Sequence, residues 1–208
     1  VSDGVYIFGY SGHSYVVIET LLRMGRQVLG YFDRQVSIRN PYGLDHMGDE
    51  RKVDVAALVK ENHVFPTVGD NSARAALIDF FTSHGLNQLA VVDPSSNVSA
   101  TALIGLSTYV GRNVCVNAMA HIGRGVILNT SCVVEHGCRV ADYAHVAPSA
   151  VMCGDVHLGV LSFLGANSVV RQTRRIGDRV VIGAGSVVLR DIPDGEVWFG
   201  NPARRHTP

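Results

Sequence analysis

Nine histidines stand in a 208-residue sequence of zero formal net charge, and His136 is set apart by Gly154, 18 residues further on. An imidazole titrates near neutrality and suits proton transfer. If the chain coils once every 18 residues, that glycine is stacked on the ring and leaves room and an exposed N–H beside it. A second group, at the same spacing, is the column Pro148, Ala166 and Ala184, with Gly165 and Gly183 adjacent. Small residues up an outer edge make a groove for a long, thin ligand. A third group is the turn Gly9-Tyr10-Ser11-Gly12-His13, with Asp33 21 residues beyond Gly12. Glycines and open N–H groups at a helix start suit a phosphate, and a carboxylate about 20 residues on suits a nucleotide. The turn lacks the full G-x-G-x-x-G spacing, and no second half-fold follows to hold a nicotinamide, which disfavours a dehydrogenase. Each group also has a plain reading, because most outward histidines are simply solvated and small residues at turns are turn residues.

The 18-residue spacing has a clear source. From Val98 to Pro193 the chain divides into 16 hexads without a slip, and each begins with a large aliphatic residue, from Val98, Ile104 and Val110 to Ile182 and Val188. The fifth position is small or medium (Ala102, Thr108, Val114 and so on), with Arg174 as the misfit. The second position is often Gly, as suits a chain that turns after every short strand. Such a period marks a parallel β-helix. Three six-residue sides close one coil, positions one and five fill the core, and positions two, three, four and six face out. His136 falls at position three, and His121, His145 and His157 at position six, all outward. Cys132 and Cys138 fall at position five and read as buried fillers; no C-x-x-C spacing occurs among the four cysteines. A disulfide framework, a zinc site or a catalytic thiol is therefore disfavoured.

Ahead of the repeats, residues 1–93 read as a small open α/β sheet. Val5–Gly9 is a strand, Tyr15–Met24 a helix stopped by Gly25, and Gln27–Asp33 a second strand. Residues 34–52 read as a polar loop and Val53–Lys60 as a short helix. His63–Val68 is a strand, Gly69-Asp70-Asn71 a turn and cap, Ser72–His84 a helix, and Leu89–Val92 a last strand before a linker near 93–97. The repeats span 98–193, and the tail, 194–208, carries the single Trp and is expected to cover the last coil. The balance of 18 basic and 18 acidic residues, with no basic run, argues against nucleic acid or an anionic membrane as partner. No apolar stretch reaches spanning length, and the opening Val1-Ser-Asp-Gly is unlike a signal peptide. The expectation is a reduced, cytoplasmic protein.

Three segments carry a family resemblance: GYSGHS at 9–14, GVILNTSCVVEHGCRVADYAHVAP at 125–148 and FGNPARR at 199–205. They resemble the bacterial acyltransferases that N-acetylate nucleotide-linked 4-amino sugars, together with their sialic acid O-acetyltransferase-like relatives, and the resemblance runs through essentially the whole chain. It implies a Rossmann-like N-terminal domain followed by a left-handed β-helix, acetyl-CoA as cosubstrate with no metal, and homotrimers with active sites at the seams between subunits. It implies His136 as general base and the Gly154 amide facing the thioester carbonyl. It places His145, Ala166 and Ala184 at acetyl-CoA, and Ser11, Gly12, His13, Asp33 and Gly69 at the nucleotide sugar. An amine attacking a thioester needs no protein nucleophile, only loss of a proton and stabilisation of an oxyanion. A histidine and a backbone N–H supply these.

The sequence departs from the family at Gly137, where an acidic residue commonly follows the base; Glu135 and Asn129 are the substitutes on offer. On that reading Gly137→Asp or Gly137→Glu would leave activity intact or improve it. The alternative within the family is O-acetylation of sialic acid or another acceptor. A metal-dependent enzyme of the carbonic anhydrase kind needs three convergent histidines, and only His145 and His157 lie outward near His136. A non-catalytic scaffold needs a repeated flat face of Thr or charge, which no column shows. The nucleotide, the sugar and the pathway are not legible.

Overall fold

The computed structural model describes residues 4–206. The first three residues of the α/β unit, and residues 207 and 208 of the tail, lie outside the described residues. The α/β unit holds β1 (Gly4–Phe8), α1 (Gly12–Arg23), β2 (Gln27–Phe32), β3 (His46–Gly48), α2 (Val55–Val59), β4 (His63–Pro66), α3 (Asn71–Ser83) and β5 (Asn87–Gln88). Its five strands pair in parallel in the order β3-β2-β1-β4-β5. Apolar runs such as Val5-Tyr6-Ile7-Phe8 form central strands because both faces are covered. Phe8 stacks on Phe32 at 4.5 Å and meets Phe81 of α3 edge-on at 4.6 Å. α1 buries Val17, Ile18 and Leu21 and stops at Gly25, whose φ of +75° is left-handed. α3 starts where the Asp70 carboxylate accepts the Ala73 N–H at 2.8 Å, a cap worth about 1 kcal/mol.

The repeats build a three-sided prism. One face stacks the strands from Asn97–Val98 to Val187–Val188, a second those from Leu103–Ile104 to Arg175–Ile176. The third runs from β6 (Val91–Val92) to Val181–Ile182. Every pair within the repeats is parallel and 18 residues apart, as in Val133↔Val151 and His121↔Arg139. Position-one and position-five side chains, Val134, Val140, Val146, Cys138 and Ala144 among them, form one buried core. Burial pushes the Cys132 and Cys138 thiols up to about 12 and about 11, as inert fillers behave.

Three sequence expectations are corrected. The position-two glycines are not there for turning, because the left-handed residue falls at position four: Asn113, Ser131, Tyr143, Asp155 and Asn167, all with φ between 55° and 61°. They serve close stacking instead: a Cβ on Gly105 would lie 2.5 Å from the Gly123 carbonyl carbon, and one on Gly165 2.6 Å from the Ala184 nitrogen. The loop read at 34–52 contains the edge strand β3. The strand read at Leu89–Val92 does not belong to the α/β sheet: Asn87–Gln88, just ahead of it, closes that sheet, while Val91–Val92 pairs with Tyr109–Val110 as the first rung of the prism. Asp93, placed by the sequence at the start of the linker, is fully buried. It accepts hydrogen bonds from Thr20 Oγ1 at 3.1 Å and Ser95 Oγ at 2.7 Å, tying α1 to the first coil.

The α/β sheet covers the third face. Tyr109 and Ile127, outward on that face, share an apolar cluster with Val17, Ile18 and Leu21, and Tyr143 shares one with Phe8, Ile78 and Phe81. At the far end, Val197–Phe199 adds a parallel rung beside Val181–Ile182 and pairs antiparallel with Arg204–Arg205, and Trp198 closes the core. Among the described residues no helix is long and apolar enough to cross a membrane.

Candidate active site

His136 leaves the first face at its edge with the second, and its side chain is exposed. Its carbonyl accepts the Asp155 N–H at 2.9 Å from the next coil. A Cβ on Gly154 would lie 2.5 Å from His136 Cε1 and 2.6 Å from Nε2, so the imidazole rests against that glycine and no side chain fits there. Position-three amides face outward without a ladder partner. Several are taken by carboxylates of the next coil, such as Arg124 N by Asp142 at 3.0 Å and Val160 N by Asp178 at 2.7 Å. The Gly154 N–H has no such partner among the described residues. A proton acceptor and a free N–H therefore stand side by side.

The substitutes for an acidic neighbour do not behave as expected. Asn129 Nδ2 donates instead to His145 Nε2 at 3.3 Å, and Glu135 Oε2 accepts only the His136 backbone N–H, at 3.4 Å. The Asp155 carboxylate occupies the space that a side chain at Gly137 would fill. An acid at 137 would have to share that space with the Asp155 carboxylate, at a left-handed φ of +67°.

Pro148, Ala166 and Ala184 follow third-face strands and line the edge between the third and first faces. His136 sits on the other edge of the first face. One chain thus holds His136 and the small column on opposite margins of one face. Between them the outward side chains are Cys115, Val133, Val151, Val169 and Val187, a part-exposed apolar strip.

His145 and His13, nominated for different ligands, meet the same cation at the seam between the sheet and the prism. Arg74 of α3 is 1% exposed. It donates through Nε to the Gly125 carbonyl at 2.7 Å, and through Nη2 to the Tyr143 carbonyl and Asn71 Oδ1, both at 2.8 Å. Burial first, and the Arg74 charge second, depress His145 to about 3 and His13 to about 4. The Asn129 amide has only protons to give, so His145 Nε2 is an acceptor and the ring is neutral. Among the described residues His13 Nε2 is buried without a hydrogen-bond partner, and its ring meets Tyr109 edge-on at 5.5 Å. Sequence reasoning missed Arg74; its only signal was a cation one turn into a helix that follows a Gly-Asp cap.

A cavity of about 490 Å³ opens at the C-terminal ends of β1, β2 and β4 and brings together Ser11, Asp33 and Gly69. That is where open parallel sheets bind ligands. Asp33 turns its carboxylate to the Tyr10 N–H at 2.9 Å and the Arg34 N–H at 2.7 Å. Gly9, with φ +94°, closes the turn, whereas a Cβ on Gly12 or Gly69 would meet nothing within 4 Å, leaving open space above both. Gly12 and His13 do not line this cavity. Glu50, Arg51 and Phe80 do, and the sequence reading passed over them. A wider groove of about 810 Å³ along the second face, past His121, Arg139 and His157, holds none of the nominated residues.

Residues 4–81 match the family described as the PglD N-terminal domain. Among curated proteins, a 41-residue stretch is 56% identical to dTDP-3-amino-3,6-dideoxy-alpha-D-galactopyranose 3-N-acetyltransferase of Aneurinibacillus thermoaerophilus, covering 20% of this chain and 21% of that protein. Among solved structures, a histidine-to-asparagine variant of perosamine N-acetyltransferase from Caulobacter crescentus, in complex with CoA and GDP-perosamine, superposes with a TM-score of 0.94. It is 33% identical, over 99% of this chain and 97% of that one. The acetyltransferase domain of PglB from Neisseria gonorrhoeae superposes at 0.93 with 27% identity, over 99% of this chain and 100% of that one. On a match that spans nearly the whole of both chains, the protein belongs to the bacterial nucleotide-sugar N-acetyltransferase family of hexapeptide-repeat enzymes.

Proposed function

We propose that this chain moves the acetyl group of acetyl-CoA onto the 4-amino group of a nucleotide-linked amino sugar, by direct transfer with His136 as general base. The reading rests most heavily on one observation, the exposed His136 imidazole lying against Gly154, whose own N–H is unpartnered among the described residues. In the step, His136 takes a proton from the amine and the nitrogen attacks the thioester carbonyl carbon. The Gly154 N–H stabilises the oxyanion, the C–S bond breaks, and the CoA thiolate leaves and is protonated. A positioned base contributes roughly 10²–10⁴-fold, and one oxyanion donor roughly 10²–10³-fold.

Residues 1–93, a Rossmann-like unit, hold the nucleotide sugar through Ser11, Asp33 and Gly69 at the cavity, with Gly12 and His13 carrying the turn from Ser11 into α1. Residues 98–193, a left-handed β-helix, hold acetyl-CoA along Ala166 and Ala184 with His145 nearby, and residues 194–208 cap the coil. Because His136 and the small column lie on opposite margins of one face, the complete site needs the column of a second copy. The apolar strip between them supports a homotrimer packed about that face, with three sites at its seams. The perosamine relative, held with CoA and GDP-perosamine together, supports a ternary complex. The role that follows is cytoplasmic, in bacterial glycan biosynthesis.

The test is acetyl transfer from acetyl-CoA to a panel of UDP-, GDP- and dTDP-linked 4-amino sugars, by wild type and His136→Ala. At least one substrate should be acetylated, and the variant should lose roughly 10²–10⁴-fold in kcat/KM. A variant that keeps more than about a tenth of the activity removes His136 from the role.

A further inference from the structure

The α/β cavity has a polar corner that neither the phosphate turn nor Asp33 explains. Glu50 and Arg51 line it side by side, just after β3, with Glu50 Oε1 3.9 Å from Arg51 Nε. The Glu50 side chain is only 16% exposed and accepts no hydrogen bond among the described residues. A half-buried carboxylate without donors is costly, so this one is set for a ligand that brings N–H or O–H groups. Arg51 is held in place: its Nε donates to Asp49 Oδ1 at 2.9 Å and its Nη2 to Asp49 Oδ2 at 2.6 Å, from a carboxylate 5% exposed. The remaining guanidinium protons are free to donate. Beside this pair Ala73, Ala76, Leu77 and Phe80 present one apolar stripe of α3, at the spacing that puts side chains on a single helix face.

A phosphate does not fit this corner, because Glu50 repels it. A flat heterocycle with an acceptor next to donors does. Guanine carries O6 beside N1–H and N2–H₂, so a guanidinium meets O6 while a carboxylate takes both N–H groups. Uracil and thymine match the first two positions but set O2 against a carboxylate oxygen, and adenine reverses the order of donor and acceptor. We infer that the cavity selects a guanine nucleotide, with Glu50 on the N1–H/N2–H₂ edge and Arg51 on O6. This rests on the nucleotide-sugar reading above and names its base.

Calorimetric titration of the intact protein with GDP, IDP, UDP, dTDP and ADP tests it. GDP should bind roughly ten- to a hundredfold tighter than UDP, dTDP or ADP, and IDP, which lacks the 2-amino group, roughly tenfold weaker than GDP. Glu50→Gln should erase most of the GDP-over-IDP preference and leave UDP affinity nearly unchanged, which also reports an intact fold. Tighter binding of UDP or dTDP, with acetyl transfer to their amino sugars, overturns the guanine assignment alone. An equal loss for every nucleotide in Glu50→Gln overturns it too, since Glu50 would then hold the ribose. No binding of any nucleotide together with no acetyl transfer overturns the parent reading as well.

Discussion

Lowering the pH from 7 to 5 should loosen the seam between the sheet and the prism before most carboxylates titrate. His145 and His13 stay neutral in the folded protein down to about 3 and about 4, because burial and then the Arg74 charge oppose their protonation. In the unfolded chain both take up a proton as the pH falls through about 6.5. The folded state thus binds fewer protons below that point, so the stability present above 6.5 is lost as the pH falls toward 4. Each histidine contributes a limiting slope of about 1.4 kcal/mol per pH unit, and the pair about 2.7. Between pH 6.5 and 5 the loss is about 2–4 kcal/mol, a large share of a typical 5–15 kcal/mol. His145→Gln keeps a side chain that can bond Asn129 and removes one of the two titrations. Urea midpoints followed by circular dichroism at pH 7.5, 6.5, 5.5 and 5.0 should therefore fall less steeply in the variant, where His13 and the more weakly depressed His157 still contribute. Parallel curves for the two proteins would refute the reasoning, since His145 would then be free to protonate in the folded state.

Replacing Ala184 by Trp fills the small column at its exposed end; KM for acetyl-CoA should rise at least several-fold more than KM for the nucleotide sugar, and equal increases would show that CoA lies elsewhere. Gly137→Asp should cost about 1 kcal/mol or more in stability and lower kcat/KM, because its side chain displaces the Asp155 carboxylate and sets two like charges together. The left-handed φ of +67° adds to the cost, because a side chain there is strained as well as crowded. Adding Asp155→Gly to that variant should recover much of both losses; failure to recover would mean that the space between coils is not what matters.

The prism was legible because its rule is local and repeated: one large inward side chain every six residues leaves the register no freedom. His136 and Gly154 could be paired from sequence for the same reason, since the ladder converts a separation of 18 residues into contact. What escaped depends on how unlike parts meet. Val91–Val92 continues the hexad register upstream of Val98, but Leu89 and Gln88 before it suit a sheet strand equally well, and only pairing decides. β3 is three residues long, too short for any alternation to show. His13, Arg74 and His145 lie on a helix start, a second helix and a prism face, so no spacing links them. Glu50 and Arg51 look like an ordinary charged loop until β3 is seen to pair beside β2 and set them at the cavity.

Because each coil is a closed circuit of three sides, this part of the chain tolerates changes of length only in quanta. Six residues inserted between Pro148 and Gly165 would leave the inward pattern unbroken and the core as well packed as before. Yet every later side chain would move on by one face, carrying Ala166 and Ala184 away from the edge they share with Pro148. Only a whole coil of 18 residues, or a loop thrown out at a position-four turn, keeps the edges aligned. Natural relatives should therefore differ in length by entire coils, at the outward turns, or beyond Pro193. A gap of six or twelve residues inside the repeats would mark a lineage whose counterparts of His136 and the small column no longer occupy the same margins.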